Sequence, residues 1–177
     1  MMTEDAVPRI LARPDHSVSR DGLSPSAIKV MYRLHRSGYT SFLVGGAVRD
    51  LLLGGRPKDF DIATNAQPQE IRRLFRNSRI IGRLFRLVHV MFRFDIVEVE
   101  TFRASPEPPE GPDDWEEAEA EAAEADADPD RTPAPTRVDR SVYGTPAEDA
   151  LRRDFTINGL FYNIADFSVI DYVGGLD

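Results

Sequence analysis

Two aspartates separated by one residue are the part of this sequence best suited to chemistry. Asp59 and Asp61 flank Phe60 in the stretch "KDFDIATN". Alternate side chains of a β-strand point to the same face, so both carboxylates would share one face while Phe60 points into the core. Neighbouring carboxylates repel each other unless a cation lies between them, and their hard oxygen atoms suit Mg²⁺. A solvated loop is the competing interpretation, and for an isolated Asp-x-Asp it is the more common one.

A glycine pair upstream of these aspartates offers a place for an anion. Gly45 and Gly46 follow a short apolar stretch and precede a predicted helix, where exposed backbone N–H groups can face a phosphate. Glycine also lets the backbone approach a ligand closely, and Arg49 lies near the start of the same helix. The stretch is not a P-loop, because the spacing and the Lys-Ser/Thr ending are absent. An ordinary turn is the alternative.

A further carboxylate is expected if two metal ions are to be bridged. Glu98 and Glu100 lie in "IVEVETFR", where alternation with valines places both on one face of a predicted strand. This alternation does not choose between the two acids. A solvent-facing strand edge would show the same pattern.

Two adjacent arginines open the stretch "RRDFTINGLFYN". Arg152 and Arg153 are candidates for pairing with phosphate groups, since guanidinium forks match phosphate oxygens. Asp154, the next residue, could orient an arginine or a backbone turn. Taken alone, an arginine pair also fits a solvated helix face.

The elements that must position these residues form an α+β pattern, with a mixed sheet and flanking helices. Helical spacing starts at Ser24-Pro25, where serine can cap and proline suits the first turn. Further helices are predicted over residues 47–53, 68–75 and 146–164, the last in one or two pieces. Strands are predicted over residues 41–44, 59–63 and 169–173, with a hairpin formed by residues 86–94 and 96–103.

Composition divides the 177 residues into an arm, a domain and an insertion. Residues 1–23 are expected to form a flexible arm and residues 24–177 a single domain. Within it, residues 106–140 are expected to be a disordered acidic insertion. Residues 107–130 hold 12 acids and no Lys or Arg, and their apolar side chains are too few to bury a core. The net charge of −8 therefore hides a mildly basic remainder.

Seven arginines and no acid lie between Arg72 and Arg93. Such a basic stripe attracts phosphates and is a weak RNA-binding signal. Solubility alone is the alternative. The candidate RNA-binding residues are Arg72, Arg73, Arg76, Arg79, Arg83 and Arg86.

Several classes of site are excluded or disfavoured by composition. The chain has no cysteine, which excludes disulfide partners and thiolate metal sites. It has no apolar run long enough to cross a membrane, and its N-terminus lacks the apolar core of a secretory signal. We therefore expect a cytoplasmic protein without a membrane partner.

Four motifs in order carry a family resemblance. "LVGGAVRDLLLG", "KDFDIATNA", "EVETFR" and "RRDFTINGLFYN" resemble the head domain of the tRNA nucleotidyltransferase/poly(A) polymerase family, within the polymerase β nucleotidyltransferase superfamily. The resemblance covers roughly residues 17–177, apart from the acidic insertion. Within the family, "AIKVMYRLHRSGY", "EIRRLFRNSRIIGRLFRLVHVMF" and "LFYNIADFSVIDYVGGLD" are more similar to bacterial poly(A) polymerase than to CCA-adding enzyme.

The resemblance implies roles for the acids. Asp59 and Asp61 would be the catalytic pair that binds two Mg²⁺ ions, with Mn²⁺ as an alternative. Glu98 matches the family's third acidic position and is our first choice. Glu100 falls where the family often has a small residue, so it ranks second. Asp154 is implied as a further catalytic residue of the last motif.

The remaining motif residues would bind the nucleotide. The resemblance implies that the triphosphate is held by residues of the glycine turn and the arginine-rich motif, namely Gly45, Gly46, Arg49, Arg152, Arg153 and Asn158.

The implied activity is template-independent addition of AMP from ATP to RNA 3′ ends, with ATP and the RNA 3′ end as partners. CCA addition to tRNA is the alternative within the class, and a non-catalytic nucleotide- or RNA-binding module is the alternative outside it. The family's full-length enzymes carry neck, body and tail domains after the head. We expect these to be absent here, as in a truncated chain or a fragmentary gene product, and the head alone to be weakly active or inactive.

Overall fold

A mixed eight-stranded sheet organises the part of the chain that the computed structural model describes, residues 7–82, 87–104 and 143–177. Its strands are β1 (Arg9–Leu11), β2 (Ser41–Val44), β3 (Asp61–Thr64), β4 (Ser78–Ile81), β5 (Leu87–Met91), β6 (Ile96–Thr101), β7 (Leu160–Asn163) and β8 (Val169–Asp171). The α-helices are α1 (Pro25–Arg36), α2 (Gly46–Leu52), α3 (Pro68–Leu74) and α4 (Pro146–Leu151). Short 3₁₀ turns lie at Arg13–Asp15, Arg20–Gly22 and Thr156–Gly159.

The strand order is β1-β8-β7-β2-β3-β6-β5-β4. Strands β3 and β6 run parallel, and the other neighbouring pairs run antiparallel. The predicted α+β class with a mixed sheet and flanking helices is confirmed. The parallel β3–β6 pair matters most for function, because it carries Asp61 and both candidate glutamates.

The two faces of the sheet are covered differently. Leu43, Ile62 and Val99 pack under α1, α2 and α3, and we call this side the helix-covered face. Alternate residues such as Phe42 and Phe161 form a smaller aromatic cluster on the other side, with ring centroids 5.6 Å apart. The second side also carries Asp61 and the glutamates of β6, so we call it the carboxylate face.

Helix α1 forms as the sequence predicts. The side chain of Ser24 caps its first turn by accepting a hydrogen bond from the backbone N–H of Ala27 at 3.0 Å, and Pro25 needs no hydrogen-bond partner there. Val30 and Leu34 lie on its buried stripe. The burial of this stripe against the sheet fixes the helix on the side opposite the carboxylates.

The expectation of a flexible arm is wrong for residues 7–23. Strand β1 pairs antiparallel with β8 and extends the sheet edge, while Val18 and Leu23 are buried in the core. A ring nitrogen of His16 also lies 2.8 Å from the carbonyl oxygen of Phe167. The segment has no periodic apolar pattern from which a strand could be predicted. Strand β1 is instead stabilised by pairing with a strand that follows some 160 residues later.

The helix predicted over residues 146–164 is also wrong beyond its first turns. Helix α4 ends at Leu151, and β7 then runs through the interior of the sheet between β2 and β8. Tertiary pairing of the aromatic stretch "LFYN" overrides its local pattern. The sequence prediction also missed β4. The predicted hairpin of β5 and β6 is confirmed, closed by a hydrogen bond from Phe92 N–H to Asp95 O at 2.7 Å.

Two further predictions concern residues that lie outside the described chain. These are the acidic insertion at residues 106–140 and the arginines Arg83 and Arg86. Within the described residues, none of the helices is both long and apolar enough to cross a membrane.

Candidate active site

Asp61 lies at the centre of the carboxylate face. It is the first residue of β3 and is the register partner of Glu98 on β6. Burial, followed by the nearby carboxylates of Glu98, Glu100 and Asp59, raises the pKa of Asp61 to about 6, against the opposing effect of Arg153. A carboxylate in this environment is poorly stabilised as an anion unless a cation joins it.

Asp59 lies in the loop that leads into β3, not in the strand as predicted. Its side chain is exposed, yet it is close enough to affect the titration of Asp61. Phe60 between them is partly buried against the core of the helix-covered face. Phe60 thus packs towards the core while the two acids lie outside it. Asp59 and Asp61 are close enough to interact electrostatically.

The acids fit a hard divalent cation. Mg²⁺ prefers oxygen ligands and usually keeps ligands from water and substrate phosphates instead of a complete protein cage. Within the described ranges, no group of three or more acid or histidine side chains lies close enough together to hold a metal ion by itself. Asp59, Asp61 and Glu98 are the residues on this face that would share such an ion with substrate.

The two glutamates of β6 have different surroundings. The side chain of Glu98 is 50% exposed, and its Oε1 lies 3.1 Å from Nε2 of His89 on β5. The side chain of Glu100 is 21% exposed and forms ion pairs with both arginines of the last motif. Glu98 is thus the more accessible of the two, whereas Glu100 is held by cations of the protein itself.

Arg152 and Arg153 belong to a four-membered ion-pair network. Nη2 of Arg153 lies 2.6 Å from Oε1 of Glu100 and 2.7 Å from Oδ2 of Asp149. Nη2 of Arg152 lies 3.2 Å from Oε2 of Glu100 and 2.7 Å from Oδ1 of Asp149. Burial disfavours the charge on Arg153, but Glu100 and Asp149 outweigh it and raise its pKa. The guanidinium group of Arg153 also lies over the ring of Phe161, 5.7 Å from its centroid.

The glycine turn lies between two guanidinium groups. Gly45 has φ +72°, a conformation that L-residues rarely adopt. A Cβ atom at Gly45 would lie 3.7 Å from Nη1 of Arg153, and one at Gly46 would lie 3.2 Å from Nη2 of Arg49. The fold therefore brings together four of the predicted nucleotide-binding residues, although they come from distant parts of the sequence.

A short chain of hydrogen bonds fixes Arg49. Its Nη1 donates to Oδ1 of Asn158 at 3.0 Å, and Nδ2 of Asn158 donates to Oδ1 of Asp154 at 3.2 Å. Arg49 also pairs with Asp50, Nη2 to Oδ1 at 2.9 Å. Asp154 accepts a second hydrogen bond from the backbone N–H of Phe155. The structure thus places Asp154 behind Arg49 and Asn158, as part of the arginine's support.

The predicted RNA-binding arginines lie elsewhere. Arg72 and Arg73 are exposed on α3, Arg76 follows that helix, and Arg79 is exposed on the edge strand β4. Helix α3 packs on the helix-covered face through Ile71. Arg72 and Arg73 therefore lie on the side of the sheet opposite the carboxylates. Arg79 differs, because it is the register partner of His89, which is the register partner of Glu98, so it shares the carboxylate face two strands away from Glu98.

Sequence reasoning missed two residues that contact the site. Asp149 is completely buried and anchors both arginines. His89 contacts Glu98 from the neighbouring strand. Asp149 could have been found from its spacing, because acids three and four residues before arginines form ion pairs on a helix. His89 had no such signal, since its contact depends on strand register.

Similar proteins are found at the levels of sequence and of structure. The Poly A polymerase head domain family matches residues 41–177. Poly(A) polymerase I of Salmonella typhi is 48% identical over 98% of this chain and 35% of its own length. The CCA-adding enzyme of Bacillus pumilus is 35% identical over 84% of this chain and 31% of its own length. The solved CCA-adding enzyme of Bacillus stearothermophilus in complex with CTP has a TM-score of 0.62 at 27% identity, covering 86% of this chain and 31% of that one.

The chain spans about a third of the length of these curated relatives. The family match begins at the residue that starts β2. It therefore includes every candidate site residue from Gly45 to Asn158.

Proposed function

The chain belongs to the poly(A) polymerase head-domain family, as its four motifs predicted, and from that membership we propose that it carries the catalytic centre of an RNA adenylyltransferase. The reaction is template-independent addition of AMP from ATP to an RNA 3′ end. One observation carries the choice of this reaction: the chain is 48% identical to a poly(A) polymerase I and 35% identical to a CCA-adding enzyme.

In the proposed reaction, the 3′-hydroxyl oxygen of RNA attacks the α-phosphorus of ATP and pyrophosphate leaves. Asp59, Asp61 and Glu98 would hold two Mg²⁺ ions, or Mn²⁺ in their place. Such ions lower the pKa of an attacking hydroxyl and neutralise charge on the leaving triphosphate. The raised pKa of Asp61 supports this assignment, because burial and neighbouring acids leave the carboxylate in need of a cation.

The triphosphate would lie along the glycine turn between Arg49 and Arg153. Arg152 and Arg153 supply planar guanidinium groups that match phosphate oxygens. Asp149 holds both from a fully buried position, and Asn158 with Asp154 orients Arg49. Groups fixed in advance in this way stabilise developing charge without reorganising during the reaction.

The RNA strand would reach the site from the surrounding surface. The arginines of α3 and β4 are proposed to add affinity for its backbone, which would weaken as salt concentration rises. A cytoplasmic location is part of the proposal and fits a chain without cysteine.

Extension of a short RNA tests the proposed reaction. Residues 1–177 are assayed with ATP, CTP and Mg²⁺, alone and fused to the remaining part of the Salmonella typhi relative. We expect a long A tract from the fusion and slow or no extension from residues 1–177 alone. An Asp61→Asn fusion should be inactive, whereas Asp177→Asn, which removes an acid that is 82% exposed and paired with Arg9, should match the parent.

The products separate the alternatives. A three-nucleotide CCA end on tRNA would identify the activity as CCA addition and not polyadenylation. The structural similarity to CCA-adding enzymes is the reason for testing this alternative. Binding of ATP and RNA without extension by the fusion would identify a non-catalytic module.

A further inference from the structure

Glu100 occupies the arginine pair that the proposed function assigns to substrate phosphate. Its Oε1 pairs with Nη2 of Arg153 at 2.6 Å, and its Oε2 pairs with Nη2 of Arg152 at 3.2 Å. One carboxylate therefore contacts two guanidinium groups through different oxygens. Phosphate groups engage arginine through the same type of charge-assisted hydrogen bond.

The two acids of the network differ in how firmly they are held. Asp149 is completely buried, and it accepts hydrogen bonds from Nε of Arg152 at 2.9 Å and from the backbone N–H of Arg103 at 3.1 Å. Glu100 reaches the network from β6 with a side chain that solvent still contacts. Asp149 is therefore held more firmly than Glu100, and Glu100 is the more accessible of the two acids.

Arg153 links this network to the place proposed for the triphosphate. Its Nη2 is shared by both acids, while its Nη1 lies beside the Gly45 turn. Among the residues that the structure describes, none forms a hydrogen bond with its buried Nε. An anion that binds at the glycine turn would therefore contact the guanidinium group of Arg153, which already forms ion pairs with Glu100 and Asp149.

We propose that Glu100 occupies Arg152 and Arg153 before nucleotide binds and competes with the triphosphate for them. This inference rests on the proposed function, because it takes the arginine pair to be the triphosphate site. Glu100 and Asp149 together balance the charges of Arg152 and Arg153, and Arg103 is close enough to interact electrostatically with both acids. When Glu100 is displaced, Asp149 still holds Arg152 and Arg153, and the cluster becomes more positive by one charge.

Neutralising Glu100 should therefore tighten the binding of a triphosphate. The test is calorimetric titration of the chain with inorganic tripolyphosphate, in EDTA, so that no metal contributes to affinity. Glu100→Gln is compared with wild type, and Glu98→Gln is the matched control. Both variants remove one negative charge from the same face of the same strand. Of the two glutamates, only Glu100 forms ion pairs with Arg152 and Arg153.

The competition predicts that Glu100→Gln binds tripolyphosphate about tenfold more tightly than wild type, with a much smaller change for Glu98→Gln. If both variants bound tripolyphosphate more tightly by the same factor, general repulsion between the acids and the anion would explain the effect, and the proposal would be wrong. Weaker binding by Glu100→Gln would also overturn it, since Glu100 would then be needed to hold the arginines in place. Glu100→Ala, which deletes the carboxylate without leaving an amide, repeats the comparison if the glutamine variant does not fold.

Failure of this inference can be distinguished from failure of the proposed function. If wild type binds tripolyphosphate and the fused enzyme extends RNA, but Glu100→Gln binds no more tightly than Glu98→Gln, only the competition is wrong. If neither wild type nor any variant binds tripolyphosphate, the arginine pair is not a phosphate site and both proposals are wrong.

Discussion

At the scale of single residues, Asp61 shows how a proposed catalytic position conflicts with stability. The side chain is mostly buried on a face that also carries Glu98, Glu100 and the nearby Asp59. Such an arrangement is unfavourable for the apo protein and favourable for one that binds a cation. Its consequences can be measured separately in stability, in metal binding and in activity.

The stability of the metal-free protein should depend on the charge of Asp61. Its pKa is about 6 in the fold against 3.8 as the ordinary value, so the unfolded chain loses this proton first as pH rises. Between pH 3.8 and about 6, deprotonation of Asp61 favours the unfolded state. The free energy of unfolding therefore decreases as pH rises through about 6. Asp61→Asn should therefore exceed wild type in free energy of unfolding by about 1–3 kcal/mol above pH 6, with the gap closing towards pH 4. Urea unfolding in EDTA across this range measures the difference, and a gap independent of pH would contradict it.

Mg²⁺ should reverse part of this penalty. An ion that binds only the folded state raises its stability in proportion to the logarithm of ion concentration over Kd. Wild type at pH 7 should gain several degrees in melting temperature with millimolar Mg²⁺. Asp61→Asn should gain little, and an equal gain in both proteins would remove Asp61 from the metal site.

Glu98 and Glu100 should differ sharply in activity. Glu98 is accessible and opposite Asp61, so we predict that Glu98→Gln lowers kcat of the fused enzyme by 100-fold or more, as expected for loss of a metal ligand. Glu100→Gln should retain turnover. Steady-state RNA extension with varied ATP measures both, and the reverse ranking would mean that Glu100 is the third catalytic acid.

At the scale of elements, α4 is a short helix whose role is to hold the arginine pair. It has only six residues, so it depends on its caps and on tertiary packing. Thr145 and Glu148 form a reciprocal capping box at its start, and Asp149 lies in the next position, inside the fold. Arg152, the first residue of the arginine pair, directly follows α4. The position of α4 therefore determines where the two guanidinium groups lie.

Removing the anchor of this element should cost stability. Asp149→Asn leaves two arginines without their buried carboxylate, and breaking a buried ion pair from one side typically costs about 3–5 kcal/mol. Asp177→Asn is the matched control, since its exposed pair with Arg9 should contribute less than about 1 kcal/mol. Chemical unfolding compares the two. Similar small losses would show that Glu100 alone keeps the arginines in place.

At the scale of the whole molecule, the first described residues complete the sheet that carries the site. Strand β1 covers the edge of β8, and unpaired edges promote association between chains. Deleting residues 1–11 should lower the free energy of unfolding by about 1–3 kcal/mol, given a few lost backbone hydrogen bonds, and should increase self-association. Deleting residues 1–6 leaves β1 intact and should change neither. Unfolding and light scattering of both deletions test this, and equal behaviour would mean that β1 is dispensable.

Much of this protein followed from its amino-acid sequence. The Asp-Phe-Asp alternation, the glycine turn and the "EVETFR" and "RRDF" stretches supplied the candidate site residues, because short-range spacing dictates which side chains share a face or a turn. The family resemblance then implied their roles. Helix α1 and the β5–β6 hairpin were predictable for the same reason, since their caps, periodicity and turn are local.

Other features depended on contacts between distant segments. Strands β1 and β7 were missed because their stability comes from pairing partners far away in the chain, which no local pattern records. The same limit applies to the site. Alternation left Glu98 and Glu100 equivalent, and the family resemblance ranked Glu98 first. The tertiary structure showed how their surroundings differ, by placing Glu98 beside His89 and Glu100 against two arginines. The sequence determined which groups are available for the chemistry, and the packing of the sheet decided which charges meet, because charge pairing depends on distances of a few ångströms between residues far apart in sequence.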